Sequence, residues 1–268
     1  MIKNRKIGIF DSGLGGLIIL KSIRSVLPNY DYVYFGDTKH MPYGNKTQYE
    51  IRQLTINGVE FLFKQNCSIV IIACNTASAK ALGFMQQKWL PKNYPDRKIL
   101  GVIIPTVEIV AFNKKIRRIG VLATKSTVRS NVYKKELEKL NPNMQLFQLS
   151  APLLVPAIES GNFKIARVYL KKYIAYFITK KVEAIILGCT HYPLLKLEIK
   201  ILAGNTIIVS QDEIISKALS KYLNKHNEIK RHLSTNKTVI LFTSKIFQYT
   251  KIISERWFAS ATLFLRPK

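Results

Sequence analysis

Three thiols, Cys67, Cys74 and Cys189, are the side chains of this sequence with the widest chemical range. An odd count spread over 268 residues argues against a secreted disulfide framework, so each thiol needs either a burial reason or a chemical one. Cys74 runs into Asn75-Thr76-Ala77-Ser78, small polar residues that cap a helix and present backbone N–H groups to an anion such as a carboxylate. Cys189 runs into Thr190-His191-Tyr192, with Pro193 suited to a first helical position. A thiol at a helix N-terminus loses its proton more readily, and a thiolate is both base and nucleophile. Cys67, among Asn66, Ser68 and Ile69, reads as a small buried hydrophobe. A second cluster, Asp11-Ser12-Gly13-Leu14-Gly15-Gly16, follows a strand-like Ile7-Gly8-Ile9-Phe10. It fits a dinucleotide loop poorly because Ile18 stands where a third small residue is needed, and it lacks the Gly-Lys-Ser/Thr of a P-loop. The glycines then permit a tight turn against a small ligand, with Asp11 and Ser12 directed at it. His191 with Cys189, Cys74 or Asp11 could ligate zinc, which keeps a metal-dependent hydrolase as an alternative, although no dense ligand motif supports a metal. His40, His226 and His232 read as surface residues.

Elements of α/β type must position these groups. Short β-branched runs near Lys6–Phe10, Tyr32–Phe35, Ser68–Ala73 and Ile99–Ile103 alternate with helical periodicity near Leu14–Leu27, Thr47–Gln65 and Thr76–Trp89. The pattern repeats with strands near Arg118–Leu122, Gln145–Leu149, Glu183–Leu187 and Thr206–Val209 and helices near Ser126–Leu140, Asn162–Thr179 and Pro193–Leu202. Ile7-Gly8-Ile9 returns as Ile119-Gly120-Val121 and Ile71-Ile72-Ala73-Cys74 as Ile186-Leu187-Gly188-Cys189, at offsets of 112 and 115 residues. Two anchors at nearly equal offset indicate an internal duplication in which each copy ends a buried strand on a cysteine. A helix near Gln211–Lys225, a strand near Thr238–Phe242 and a helix near Ile246–Phe258 complete the chain. The expectation is an α/β fold of two pseudo-symmetric domains, residues 1–98 plus 211–268 and residues 99–210. Each is a mostly parallel sheet flanked by helices, with the active site in the cleft between them.

Composition narrows the class. Hydrophobic residues make up 47% and charged residues 22%, as in ordinary globular domains, which excludes disorder, collagen and coiled coil. No apolar run is long enough to cross a bilayer and no secretory leader is evident, so a cytoplasmic protein with no membrane partner is expected. The net charge of +26 raises nucleic acid as a partner, but the 42 basic residues are scattered rather than gathered into a stripe or tail. Weak polyanion binding follows from such charge; a specific nucleic-acid site does not.

Taken together, these stretches resemble the glutamate racemases, the cofactor-independent branch of the aspartate/glutamate racemase superfamily. The resemblance runs along nearly the whole chain. It rests on Ile9-Phe10-Asp11-Ser12-Gly13-Leu14-Gly15-Gly16, on Tyr34-Phe35-Gly36-Asp37-Thr38 with Pro42-Tyr43-Gly44, on Ala73-Cys74-Asn75-Thr76-Ala77-Ser78, and on Leu187-Gly188-Cys189-Thr190-His191-Tyr192-Pro193-Leu194. Val155-Pro156-Ala157-Ile158-Glu159 and Thr124 with Thr127 add to it. His191 after Cys189-Thr190 favours glutamate over the alternative substrate, aspartate, since aspartate racemases typically carry an acid there. His40 and Met41 stand where the family often has Arg, and Ala123 where it often has Gly. The resemblance implies interconversion of L- and D-glutamate for peptidoglycan synthesis by a two-base mechanism, without pyridoxal phosphate or any other cofactor and without a metal. It implies Cys74 and Cys189 as the acid/base pair, Asp11 assisting Cys74, and His191, steered by Glu159, assisting Cys189. Asp11, Ser12, Tyr43, Gly44, Asn75, Thr76, Thr124, Thr190 and His191 are then the substrate-binding positions. A homodimer is expected on the same ground, dimers being common in the family.

Overall fold

A computed structural model describes residues 4–247 together with 255, 257, 258, 264 and 265. The chain divides into two compact units, residues 1–102 with 212–268, and residues 103–211. In the first, six parallel strands run in the order β10-β9-β2-β1-β3-β4. These are β1 (Lys6–Asp11), β2 (Tyr32–Gly36), β3 (Cys67–Ile72), β4 (Lys98–Gly101), β9 (Val239–Thr243) and β10 (Phe264–Leu265). The second unit holds β5 (Arg118–Ala123), β6 (Gln145–Ser150), β7 (Ala184–Gly188) and β8 (Ile207–Ser210), parallel in the order β6-β5-β7-β8. The order β2-β1-β3-β4 in one sheet is therefore repeated as β6-β5-β7-β8 in the other, with the Gly8 and Gly120 strands in equivalent central places.

Burial follows from the residue pattern. Strands β2, β3 and β7 are buried at every position, as expected of parallel strands covered on both faces by helices. The helix Gly16–Val26 turns Leu17, Leu20 and Ile23 inward at spacings of three. The helix Gln48–Lys64 begins at a capping box: Thr47 accepts from the Glu50 N–H, and the Glu50 carboxylate accepts from the Thr47 N–H. It packs its Gly58 against the Phe10 ring, where any Cβ would collide. In the second unit the Phe177 ring of the helix Phe163–Thr179 covers Gly120 in the same way.

Several elements differ from expectation for identifiable reasons. The fourth strand ends at Gly101 and Ile103 already opens a helix, Ile103–Ala111, because Pro105 stands in its first turn, where the missing N–H costs nothing. Pairing of β4 with β3 draws residues 98–102 into the first unit. The helix expected over Ser126–Leu140 is broken at Asn131, which adopts a left-handed φ of 54°. The helical stretch after Cys74 contains two π-helical segments, Ser78–Leu82 and Met85–Trp89. Short helices over Leu154–Glu159 and Asn227–Lys230 lay below the resolution of a periodicity reading. Most of the last expected helix, Ile246–Phe258, lies outside the described residues.

Candidate active site

In the first unit the register of the sheet gathers the expected groups at the carboxyl edge. Phe10 pairs with Ile72, and the Ala73 N–H donates to the Phe10 carbonyl at 2.8 Å, so Asp11 on β1 and Cys74 beyond β3 emerge together. Ser12 Oγ lies 3.2 Å from Cys74 Sγ. Cys74 is itself the N-cap of the following helix, its sulfur accepting from the Ala77 N–H at 3.5 Å, with Asn75 and Thr76 buried in the first turn. Asp11 is fully buried, and its carboxylate accepts from the Gly13 N–H at 3.1 Å, which turns the glycine loop back on the strand end. Tyr34 Oη donates to the Gly13 carbonyl at 2.7 Å, while a Cβ on Gly36 would strike that same oxygen. The loop is thereby pinned from two sides.

The loop after β2 carries Tyr43 and Gly44 in a single 3-10 turn, Tyr43–Asn45, preceded by a cis Met41–Pro42 bond. The buried carboxylate of Asp37 organises it. Asp37 accepts from Tyr43 Oη at 2.7 Å, from Ser244 Oγ beyond β9 at 2.7 Å, and contacts His40 Nδ1 at 2.8 Å. Burial, and then the charges of Asp37, Cys74 and Asp11, push the Tyr43 hydroxyl far above its ordinary pKa, so it stays a proton donor throughout the physiological range. Asp37 was part of the quoted sequence pattern but carried no expected role. His40 and His226 are not bland surface residues either, since His226 Nδ1 lies 2.8 Å from Glu228. Cys67, at the opposite end of β3, is wholly buried, and burial raises its pKa well above a free thiol's.

The second unit repeats the placement with a different partner. Ala123 pairs with Gly188, so Thr124 and Cys189 emerge side by side at the carboxyl edge of β5 and β7. Cys189 Sγ lies 3.7 Å from His191 Nδ1, and His191 Nε2 lies 3.0 Å from Glu159 Oε1, at the end of the helix Leu154–Glu159. Burial opposes a charge on this imidazole, yet the Cys189 sulfur and the Glu159 carboxylate outweigh it and raise the pKa of His191 well above the ordinary value of 6.5. Thr190 is buried beside them, and Thr124 caps the helix Lys125–Ser130 by accepting from the Thr127 N–H at 3.2 Å. No α-helix begins directly after Cys189: a 3-10 turn, Tyr192–Leu195, intervenes before the helix Lys196–Ala203. The buried hydroxyls of Tyr133 and Tyr192 sense the Cys189 charge, which adds to the effect of burial in raising their pKa, and Tyr133 Oη accepts from Gln211 Nε2 at 3.1 Å. Their spacing marked them only as core.

Among the described residues no group of three or more His, Cys, Asp and Glu side chains is placed to hold a metal ion. No described helix is long and apolar enough to cross a membrane.

A pair of parallel α/β units, each delivering a cysteine past the strand that pairs with its central strand, defines an α/β protein equipped for thiol acid–base chemistry. A sequence profile described as Asp/Glu/hydantoin racemase matches residues 18–218. The glutamate racemase of Chlorobaculum parvum is 37% identical over 233 residues, covering 85% of this chain and 84% of that protein. A crystal structure of glutamate racemase from Francisella tularensis in complex with D-glutamate superposes with a TM-score of 0.87 at 32% identity, covering 98% of this chain and 97% of that one. That of the RacE1 isoform from Bacillus anthracis gives 0.89 at 29% identity, covering 100% of this chain and 98% of that one. The chain belongs to the Asp/Glu/hydantoin racemase family, and it is an isomerase.

Proposed function

We propose that the protein interconverts L- and D-glutamate without a cofactor, using Cys74 and Cys189 as its two acid/base groups. The observation that carries this reading is that each thiol has its own partner: the Ser12 hydroxyl at 3.2 Å for Cys74, and the His191–Glu159 pair for Cys189. An amino acid's α-proton is far less acidic than a thiol, so the base must be a desolvated thiolate held in line with the Cα–H bond, and the carbanion-like species needs surrounding donors. One thiolate takes the α-proton from one face, breaking Cα–H and forming S–H. The other thiol gives its proton to the opposite face, and the centre is inverted with no net consumption of protons. In the reverse direction the roles exchange.

Two groups separately assisted suit a reaction that must run both ways. Burial of Cys74 and Cys189 supplies the desolvation, and the first-turn backbone and side chains of Asn75 and Thr76, with Ser12, Tyr43 and Gly44, supply donors for a carboxylate. Thr124 and Thr190 offer the same at the second thiol, and Asp11, beside Cys74's strand, is the acid that assists it. Glutamate as substrate is supported by the relatives, one of them crystallised with D-glutamate. On this reading the product enters peptidoglycan synthesis and the enzyme works in the cytoplasm.

The test is circular dichroism of L-glutamate incubated with reduced protein and a chelator, without added pyridoxal phosphate. Decay of the signal to zero is expected; a flat trace with glutamate and decay with L-aspartate would reassign the substrate. Cys74→Ala and Cys189→Ala are each expected to lower the rate at least about a thousandfold, in line with loss of an obligatory acid/base group. Full interconversion by either variant would remove the two-base assignment, whereas Cys67→Ala should leave the rate intact.

A further inference from the structure

A cavity of about 340 Å³ opens at the amino ends of β1, β3 and β4, the edge opposite Asp11 and Cys74. Arg5, Ser68, Asp96, Lys98, Glu228 and His232 line it, with Ile229 as an apolar wall. Ser68, the second residue of β3, is 7% exposed, and its Oγ is buried without a hydrogen-bond partner among the described residues. Nη1 of Arg5 is in the same condition, although Nη2 of the same guanidinium donates to Asp96 at 3.1 Å. Two unmet polar groups in one small cavity are unusual, since buried donors are nearly always satisfied and leaving one unmet is costly.

Charge indicates what would satisfy them. Both lining acids are already engaged by cations, Asp96 by Arg5 and by Arg97 at 3.5 Å, and Glu228 by His226 at 2.8 Å. Lys98 adds a further positive charge, felt by Glu228. A guanidinium N–H, a hydroxyl and an ammonium converging on one space match an acceptor with several oxygens, and the volume suits a small molecule rather than a polymer. The backbone holds this arrangement in place: the Arg5 N–H donates to the His232 carbonyl at 3.1 Å, and the Ser234 N–H donates to the Arg5 carbonyl at 2.8 Å.

We propose that this cavity is a second ligand site, for the phosphate or carboxylate of a small metabolite. The inference stands independently of the racemase reading, since it uses none of the residues assigned there. It is tested on the full chain by calorimetric titration with inorganic phosphate and, separately, succinate, at fixed ionic strength. One saturable site is expected, weakened roughly tenfold by Ser68→Ala and by Lys98→Gln, as for loss of one charge-assisted contact, and unchanged by Lys221→Gln on a remote lysine-bearing helix. Amide shifts on the unmodified chain should centre on Ser68, Lys98 and His232, which keeps the test valid if a variant fails to fold. Binding of phosphate alone assigns a phosphate ester, and of succinate alone a carboxylate. Absence of both, or binding weakened as much by Lys221→Gln as by Ser68→Ala, overturns the site in favour of trapped water or diffuse charge.

Discussion

His191 holds a proton that burial alone would deny it, because sulfur on one side and carboxylate on the other both favour the imidazolium. Glu159→Gln removes one of those two supports, so the imidazole should deprotonate at lower pH. The basic limb of the kcat/KM profile is then expected to move towards acid, while Glu159→Asp should restore part of the shift; an unmoved limb would separate Glu159 from the chemistry. The same shift has a stability consequence. A pKa raised on folding contributes in full below about 6.5, the unfolded value, and the contribution disappears as pH rises through the folded one. Cys74, Cys189 and Asp11 were legible in the sequence because type, local context and a position just beyond a strand coincide. Asp37 gained its role only in three dimensions, since its partner Ser244 is 207 residues away. Tyr133 and Gln211 are separated by 78 residues, and neither carries a local signal.

At the scale of elements, Asp31 ties the start of β2 to the start of β9. Its carboxylate accepts from the Thr238 N–H at 2.8 Å and from Asn236 Nδ2 at 2.9 Å. Burial works against the charged form, but the bonds from Ser234, Thr238 and Asn236 together hold its pKa below the ordinary 3.8. A depressed pKa contributes stability above the unfolded value and loses it as pH falls through the folded one. Asp31→Ala is therefore expected to destabilise the protein by about 1–3 kcal/mol at pH 7, measured by urea unfolding, and by clearly less near pH 2.5. An equal loss at both pH values would mean that packing, not the ionised carboxylate, joins the strands. Long strands and amphipathic helices were readable because period 2 and period 3.6 are written locally. The junction at Gly101–Ile103 was not, because an unbroken β-branched run conceals where strand passes into helix. The break at Asn131 was hidden too, because a left-handed residue other than glycine leaves little trace in composition.

At the scale of the molecule, the net charge of +26 exceeds what its ion pairs can neutralise, so the folded chain repels itself. Raising salt from about 50 to about 500 mM should raise Tm by several degrees through screening. A fall in Tm would show instead that ion pairs such as Arg167–Glu198 hold the fold together. The repeated strand order was foreshadowed by two short text repeats, whereas the place of β9 beside β2 had no such marker in the sequence. That placement bears on synthesis. On the ribosome β2 is complete long before β9, and at about 5–20 residues per second the intervening stretch from 103 to Thr243 takes on the order of ten to thirty seconds. Throughout that interval the nascent first unit presents a bare, apolar β2 edge while the continuous second unit is free to fold. A nascent chain interrupted anywhere between Tyr192 and Val239 already carries all the expected catalytic residues, yet lacks the strand that seals the sheet on which half of them depend.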